Sequence, residues 1–343
     1  MASQPVGIGM IGCGEIAVRT AASIAKSANA RIVGCVDVHA DLAADLAGQH
    51  DARHTADLEE LLRWPEVEAV VISTPHALHA PQGIQAAGAG KHVIVEKPIA
   101  TTVGAARELI QACRTARRQL GVFFVMRCRP GSIRARDLVA AGAIGKVAHI
   151  TIPALSWKKD SYWTGGFSGR VATTWRRSRQ MAGGGILIMN CIHTIDLCRF
   201  ITGLEYERVY AEYGTYATEV EVEDHIAVTG RMEGGALLSI VASSAVPGRG
   251  NGAGERIIGT HGQIVGARQV FTTREGFGLP AGEWAEIGGG EVDERRLFIE
   301  GFAGAVKGDG EPPASGRDGL RALAVVTAAY ESMEKGAPVA VER

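Results

Sequence analysis

The first third of the chain alternates short apolar runs with helical stretches, and no other feature restricts the fold as strongly. Val6–Ile11, 31–36, a weak run at 52–54, "EAVVIS" at 68–73, 93–95 and "GVFFVM" at 121–126 read as strands rich in β-branched and apolar residues. Helical stretches fall between them: one to Ser27, then 41–48, a short one capped by Asp57, 80–87 and 103–119. Strands alternating with helices imply right-handed crossovers, and uninterrupted apolar strands imply burial on both faces. A parallel, doubly wound α/β sheet is expected.

The pattern changes near Arg127. "GKVAHITIPALSW", "RVYAEYGTYAT", "EDHIAVTGRM", "GALLSIVASSA" and "ERIIGTHGQIVGA" are strand-like runs joined by short polar or glycine turns. One strong helix, about 185–202, interrupts them. Short connections favour antiparallel pairing, so a second, α+β domain with a large, mostly antiparallel sheet follows. The expected division is 1–126 and 127–343, with a last helix at about 318–335, ended by Gly336, packing back on the first domain.

Within the first domain, "GCGEIA" at 12–17 directly follows a strand and opens a helix. Gly12 permits the tight turn, Gly14 lets a pyrophosphate approach the backbone, and Ala17 allows close helix–strand packing. The helix N-terminus, through Glu15 and Ile16, offers N–H groups to the anion. The next strand ends at Asp37, where a carboxylate accepts both ribose hydroxyls. The same carboxylate repels a 2′-phosphate, so NAD is favoured over NADP. This is the pattern of a Rossmann dinucleotide-binding domain.

Ligands of such sheets bind outside the carboxyl ends of the strands. Ser73-Thr74-Pro75 and Glu96-Lys97 fall at two more of those ends. Lys97 closes a buried strand, and Pro98 forces it into an extended backbone. An ammonium held there faces the reacting end of a dinucleotide.

The remaining composition excludes other classes. Of 343 residues, 36 are basic and 37 acidic, so neither nucleic acid nor a membrane surface is an expected partner. No apolar run reaches the length of a membrane span and no leader precedes the first strand, so a cytoplasmic location is expected. The six cysteines are scattered, as buried thiols in a reducing compartment are. No cluster has metal-ligand spacing, and no metal is expected.

Taken together, these motifs resemble the Gfo/Idh/MocA family of oxidoreductases, which includes glucose–fructose oxidoreductase and inositol dehydrogenase. "STPHALHA" at 73–80 resembles the family's S-T-P-N-x-x-H-A segment, with His76 where asparagine is common and His79 at the later histidine. "EKPIA" is its most specific signature. "RCRPGSIRARDLVAAGAIGKV" and "TWRRSRQMAGGGILIMNCIHTIDLCRFITG" resemble the entry to its second domain and its W-R, G-G-G and H-x-x-D elements. The resemblance implies an open-faced second sheet that forms homodimers or homotetramers. It also implies that Lys97 and His193 are catalytic, that Trp175 and Arg176 meet the nicotinamide side, and that Asp196 supports the helix or orients His193. Where many members carry aspartate, this chain has Met189. Asn190, three residues before His193, shares its face at α-helical spacing, but an amide cannot act as a base.

Oxidising a secondary alcohol needs a hydride acceptor, a proton acceptor and positive charge near the developing alkoxide. NAD, His193 and Lys97 fill those roles. The segment at 156–170 is rich in aromatics, lysines and glycines, which suit either a sugar or a subunit contact. Arg127, Lys158, Tyr162, Asn190 and His193, with Lys97, are the expected substrate contacts. The expected activity is an NAD-dependent dehydrogenase of a sugar, glycoside or cyclitol. A redox-cycling glycosidase or lyase, or a non-catalytic regulator, are the alternatives.

Overall fold

A computed structural model describes residues 4–248 and 254–343, which form two compact units. The first comprises Met1–Val125, Asp160–Gly183 and Asp293–Leu320; the second comprises Met126–Lys159, Gly184–Val292 and Arg321–Arg343. A reading in two consecutive blocks does not contain the two returns of the chain to the first unit.

The first unit holds β1 (Val6–Ile11), β2 (Ala30–Val36), β3 (Arg53–Thr55), β4 (Ala69–Ile72), β5 (His92–Val95) and β6 (Leu120–Val122). They form a parallel sheet in the order β3-β2-β1-β4-β5-β6. Every residue of β1 and β4 is buried, which is why these strands read as unbroken apolar runs. Asp57 caps its helix as expected, accepting from Glu59 N–H at 2.9 Å. The strand expected at 121–126 stops at Val122, because Val125–Cys128 closes into a 3-10 turn. Residues 314–315 cover the edge of β6: Val122 N–H donates to the Ala314 carbonyl, and Gly121 bridges Ser315. The last helix, Gly316–Lys335, begins in this unit, with Gly319 against Val122 and Ile99.

The second unit holds β7 (Val147–Leu155), β8 (Tyr206–Gly214), β9 (His225–Met232), β10 (Leu237–Ser243), β11 (Arg256–Gly259), β12 (Gly262–Val265), β13 (Gln269–Thr272), β14 (Trp284–Glu286) and β15 (Val339–Ala340). The sheet order is β14-β13-β12-β11-β7-β10-β9-β8-β15, and only the β7–β10 pair is parallel. Ile150, Ile152, Leu238, Ile240, Ile226 and Val228 alternate into the core, while Leu155, Leu237 and Val241 stay exposed. Among the described residues, one helical run, Arg179–Thr202, is long and apolar enough to cross a membrane. Of its most apolar window, 72% is buried inside the protein, which marks a core helix.

Candidate active site

Parallel strands bring their carboxyl ends to one edge, and register decides which residues arrive there. Val36, Ile11, Ile72, Val95 and Val122 stand in one row across β2, β1, β4, β5 and β6. The residues that leave this row are Asp37, Gly12, Ser73, Glu96 and Phe123. The strand order reverses between β1 and β4, the switch point at which open sheets bind ligands. At about 4.8 Å per strand spacing, Asp37 and the Glu96-Lys97 segment lie roughly 14 Å apart on opposite sides of that point.

The glycine turn is built for close approach. Gly12 has φ +84°, and a methyl group on it would lie 2.8 Å from Thr74 Cγ2. Cys13 N–H donates to Asp37 Oδ2 at 2.7 Å and His39 N–H to Oδ1 at 2.9 Å. Each carboxylate oxygen keeps a lone pair for a hydroxyl. Gly14 caps the Glu15–Ile24 helix without a side-chain bond, so the first-turn N–H groups remain available to an anion. Ser73 Oγ is buried and has no hydrogen-bond partner among the described residues, so a bound cofactor could supply one. The neighbour of Asp37, Val38, is 88% exposed and brings no charge to meet a 2′-phosphate. These residues fit NAD.

On the other side of the switch point, Lys97 is half-buried and its bond to Pro98 is cis. Its neighbours are anchored. Glu96 accepts from Arg295 Nη1 at 2.6 Å, and Arg295 lies over the Phe123 ring at 4.6 Å. His79 Nδ1 is 2.7 Å from the Pro98 carbonyl and its Nε2 2.9 Å from the Thr74 carbonyl. That ring ties the 73–75 turn to the segment after β5. His76 Nδ1 lies 2.7 Å from the Ala182 carbonyl, and its ring meets Trp175 edge-on at 4.6 Å. Burial holds both imidazoles below the ordinary histidine range. The Arg176 guanidinium stacks 4.6 Å from the Trp175 ring and 5.1 Å from the Tyr162 ring.

In the second unit, a buried carboxylate shapes the helix that carries His193. Glu223 Oε2 accepts from Gly185 N–H at 2.6 Å; Oε1 accepts from Leu187 N–H at 3.0 Å and the Tyr330 hydroxyl at 2.8 Å. Burial pushes the Glu223 carboxyl up, and the three donors oppose that shift. The adjacent glycines are required by packing. A methyl on Gly184 would strike Tyr330, and one on Gly185 would strike the Glu223 carbonyl. Leu187–Cys191 is a π-helical turn, and the regular helix Ile192–Thr202 follows. The α-helical spacing expected to align Asn190 with His193 therefore does not apply across this wider turn. Both residues are partly exposed. Lys158, also partly exposed, follows β7, its N–H donating to the Ser244 carbonyl at 2.7 Å.

Comparison with known proteins decides the family. Residues 6–124 match the model of an oxidoreductase family with an NAD-binding Rossmann fold, and residues 132–265 match the GFO/IDH/MocA C-terminal domain. The chain belongs to the Gfo/Idh/MocA oxidoreductase family. It is 29% identical to 1,5-anhydro-D-fructose reductase of Ensifer adhaerens, covering 97% of this chain and 98% of that one. It is also 29% identical to inositol 2-dehydrogenase of Rubrobacter xylanophilus, over 99% and 94% of the two chains. The structure of levoglucosan dehydrogenase in complex with NADH and levoglucosan superimposes with a TM-score of 0.87 at 25% identity, covering 99% and 100%.

Several residues expected to meet cofactor or substrate, Glu96, His76, His79, Arg127 and Tyr162 among them, are held by partners within the protein. Glu96 is held in the Arg295 ion pair, and His79 is fully buried between two carbonyls, so both brace the EKP segment from behind. His76 is likewise buried, against Ala182 and Trp175. Arg127 is 8% exposed, and its Nε and Nη2 both donate to Asp196 at 2.7 and 2.6 Å. Asp196 thus anchors an arginine fork as well. Tyr162, in the helix Asp160–Gly165, is buried beside Trp163, Phe167 and Arg176. Arg295 and Glu223, which brace the EKP segment and the His193 helix, were not legible. The clearest signal was the acid pair in "VEDH", polar residues just ahead of a strand.

Proposed function

We propose that this family member is an NAD-dependent dehydrogenase that oxidises a secondary hydroxyl of a sugar, glycoside or cyclitol. The observation that carries the reading is the register row. It puts Asp37, the glycine turn and the EKP lysine at the carboxyl ends of β2, β1 and β5, astride the switch point, which supports a carboxylate for the ribose and an ammonium for the reacting carbon. Asp37, Gly12, Gly14, the Glu15 and Ile16 backbone, Ser73, Thr74 and Pro75 hold NAD, with Trp175 and Arg176 toward its nicotinamide. Bound NAD supplies the hydride acceptor. Lys97 stabilises the negative charge that develops on the substrate oxygen, and His193 takes the hydroxyl proton. Asn190 and Lys158 position the polyol. By their names, the relatives act on 1,5-anhydro-D-fructose, inositol and levoglucosan, which supports a sugar or cyclitol here.

The location is cytoplasmic, consistent with scattered thiols, and the working form is a homodimer or homotetramer. Leu237, Val241 and Leu155 on the uncovered face of the second sheet supply the apolar contact. Light scattering on the purified protein tests that assignment. The activity test is NADH formation, followed by absorbance, across a panel of cyclitols, anhydro-sugars and glycosides. Net NADH with one of them supports the dehydrogenase. Substrate turnover without net NADH transfers the assignment to an enzyme that recycles its cofactor.

A further inference from the structure

The electrostatics of the glycine turn are unfavourable to the anion it is shaped to bind. Glu15, Asp37 and Asp45 all stand around it, and a dinucleotide brings two further negative charges on its pyrophosphate. The helix N-terminus contributes only about half a unit of positive charge. Countercharge has to come from elsewhere in the unit.

It arrives on the chain's first return. Phe167 N–H donates to Glu15 Oε2 at 2.8 Å, and Val171 Cγ2 lies 3.8 Å from where a Gly14 side chain would begin. Between them, Arg170 Nε donates to the Cys13 carbonyl at 3.1 Å, and its Nη2 donates to Asp45 Oδ2 at 2.6 Å. Cys13 is the middle residue of the G-C-G turn. Two of the five guanidinium donors are used, and three remain without partners among the described residues. The side chain is 22% exposed, so the group is placed on the turn and is still reachable. Asp45 is held below the usual carboxylate range, first by its bond to Arg170, and stays charged as the second anchor.

We propose that Arg170 clamps the pyrophosphate of the bound dinucleotide, from a strap at 167–171 pinned across the glycine turn. The inference rests on the NAD reading above. A guanidinium oriented by two fixed acceptors presents its remaining N–H groups with little further ordering, and a planar fork suits phosphate oxygens. Arg170 is a cofactor-holding residue; it has no part in proton or hydride transfer.

The test is calorimetric titration of the full chain with NADH, ADP-ribose and adenosine. R170M should weaken NADH and ADP-ribose about 10- to 100-fold, the range of a lost charge-assisted hydrogen bond. Adenosine, which lacks the pyrophosphate, should bind both proteins alike. R170K should recover part of the loss, since it restores charge without the fork. Equal affinity of R170M and the unaltered protein for ADP-ribose overturns the proposal, as does an equal loss for adenosine. Failure of the unaltered protein to bind NADH or ADP-ribose defeats the dinucleotide reading itself, a distinct result. If R170M does not fold, hydrogen exchange on the unaltered protein decides. ADP-ribose should slow exchange at 166–171, and unchanged exchange there overturns the clamp.

Discussion

Replacing Glu223 with glutamine should loosen the helix that carries His193, at a cost the structure allows to be worked out. The carboxylate takes three donors: Gly185 N–H, Leu187 N–H and the Tyr330 hydroxyl. An amide offers one acceptor oxygen. Its best orientation keeps that oxygen toward Leu187 and Tyr330 and turns its NH2 against Gly185 N–H. One charge-assisted bond is lost, at about 1.5–3 kcal/mol, and one buried N–H is left unmet, at about 1–3 kcal/mol. Removing a buried charge returns part of this, so the net loss is about 2–4 kcal/mol. Urea unfolding of Glu223→Gln beside the unaltered protein measures it. Turnover should fall as the start of the helix shifts, while NADH affinity holds, because Glu223 belongs to the second unit. An unfolding free energy within about 0.5 kcal/mol of the unaltered protein, the spread of a neutral surface change, would refute the capping role.

Asp37→Ala removes the ribose acceptor and frees the Cys13 and His39 N–H groups. NADH affinity should drop at least about 10-fold and discrimination against NADPH should shrink; tighter binding of NADPH than NADH by the unaltered protein contradicts this. Lys97→Met keeps length and loses charge, so turnover should fall about 100-fold with NADH affinity little changed. Collapsed binding with normal turnover of the remaining complex would make Lys97 a cofactor clamp. His92 is lowered to about 4 by burial and then by Arg118, and its Nδ1 accepts from Gln119 N–H at 3.0 Å, which requires the neutral ring. The unfolded chain binds that proton more readily, so this stability is present above about pH 6.5 and is lost as pH falls toward 4. Thermal unfolding of His92→Gln across that window should lack the limb.

The parallel sheet was legible because its strands are buried on both faces: "EAVVIS" and 93–95 can hardly be anything else. The glycine turn and Asp37 were legible because a tight turn and a ribose acceptor demand particular residue types at a particular spacing. The lysine of EKP was placed by the strand before it and the proline after it. Side-chain partners across long sequence separations were not legible. Nothing in "STPHALHA" announces that His79 faces the Pro98 carbonyl, and nothing beside Glu96 announces Arg295, which arrives from the second return. Arg127 was expected among the substrate contacts, and nothing in the sequence announced that its fork closes on Asp196. The π-helical turn before His193 was equally hidden, since apolar periodicity alone does not separate a wide turn from an ordinary one.

Hydride transfer to NAD from a ring carbon is the central claim, and isotope transfer tests it most directly. The protein is incubated with NAD and carbon-deuterated cyclitols or anhydro-sugars, and the recovered NADH is analysed by mass spectrometry. The account predicts one deuterium on the dihydronicotinamide ring with the accepted substrate, and about one-hundredth as much labelled NADH when Lys97→Met replaces the unaltered protein over the same interval. Product formed while the deuterium leaves to water, with none passing to the nicotinamide, would contradict it.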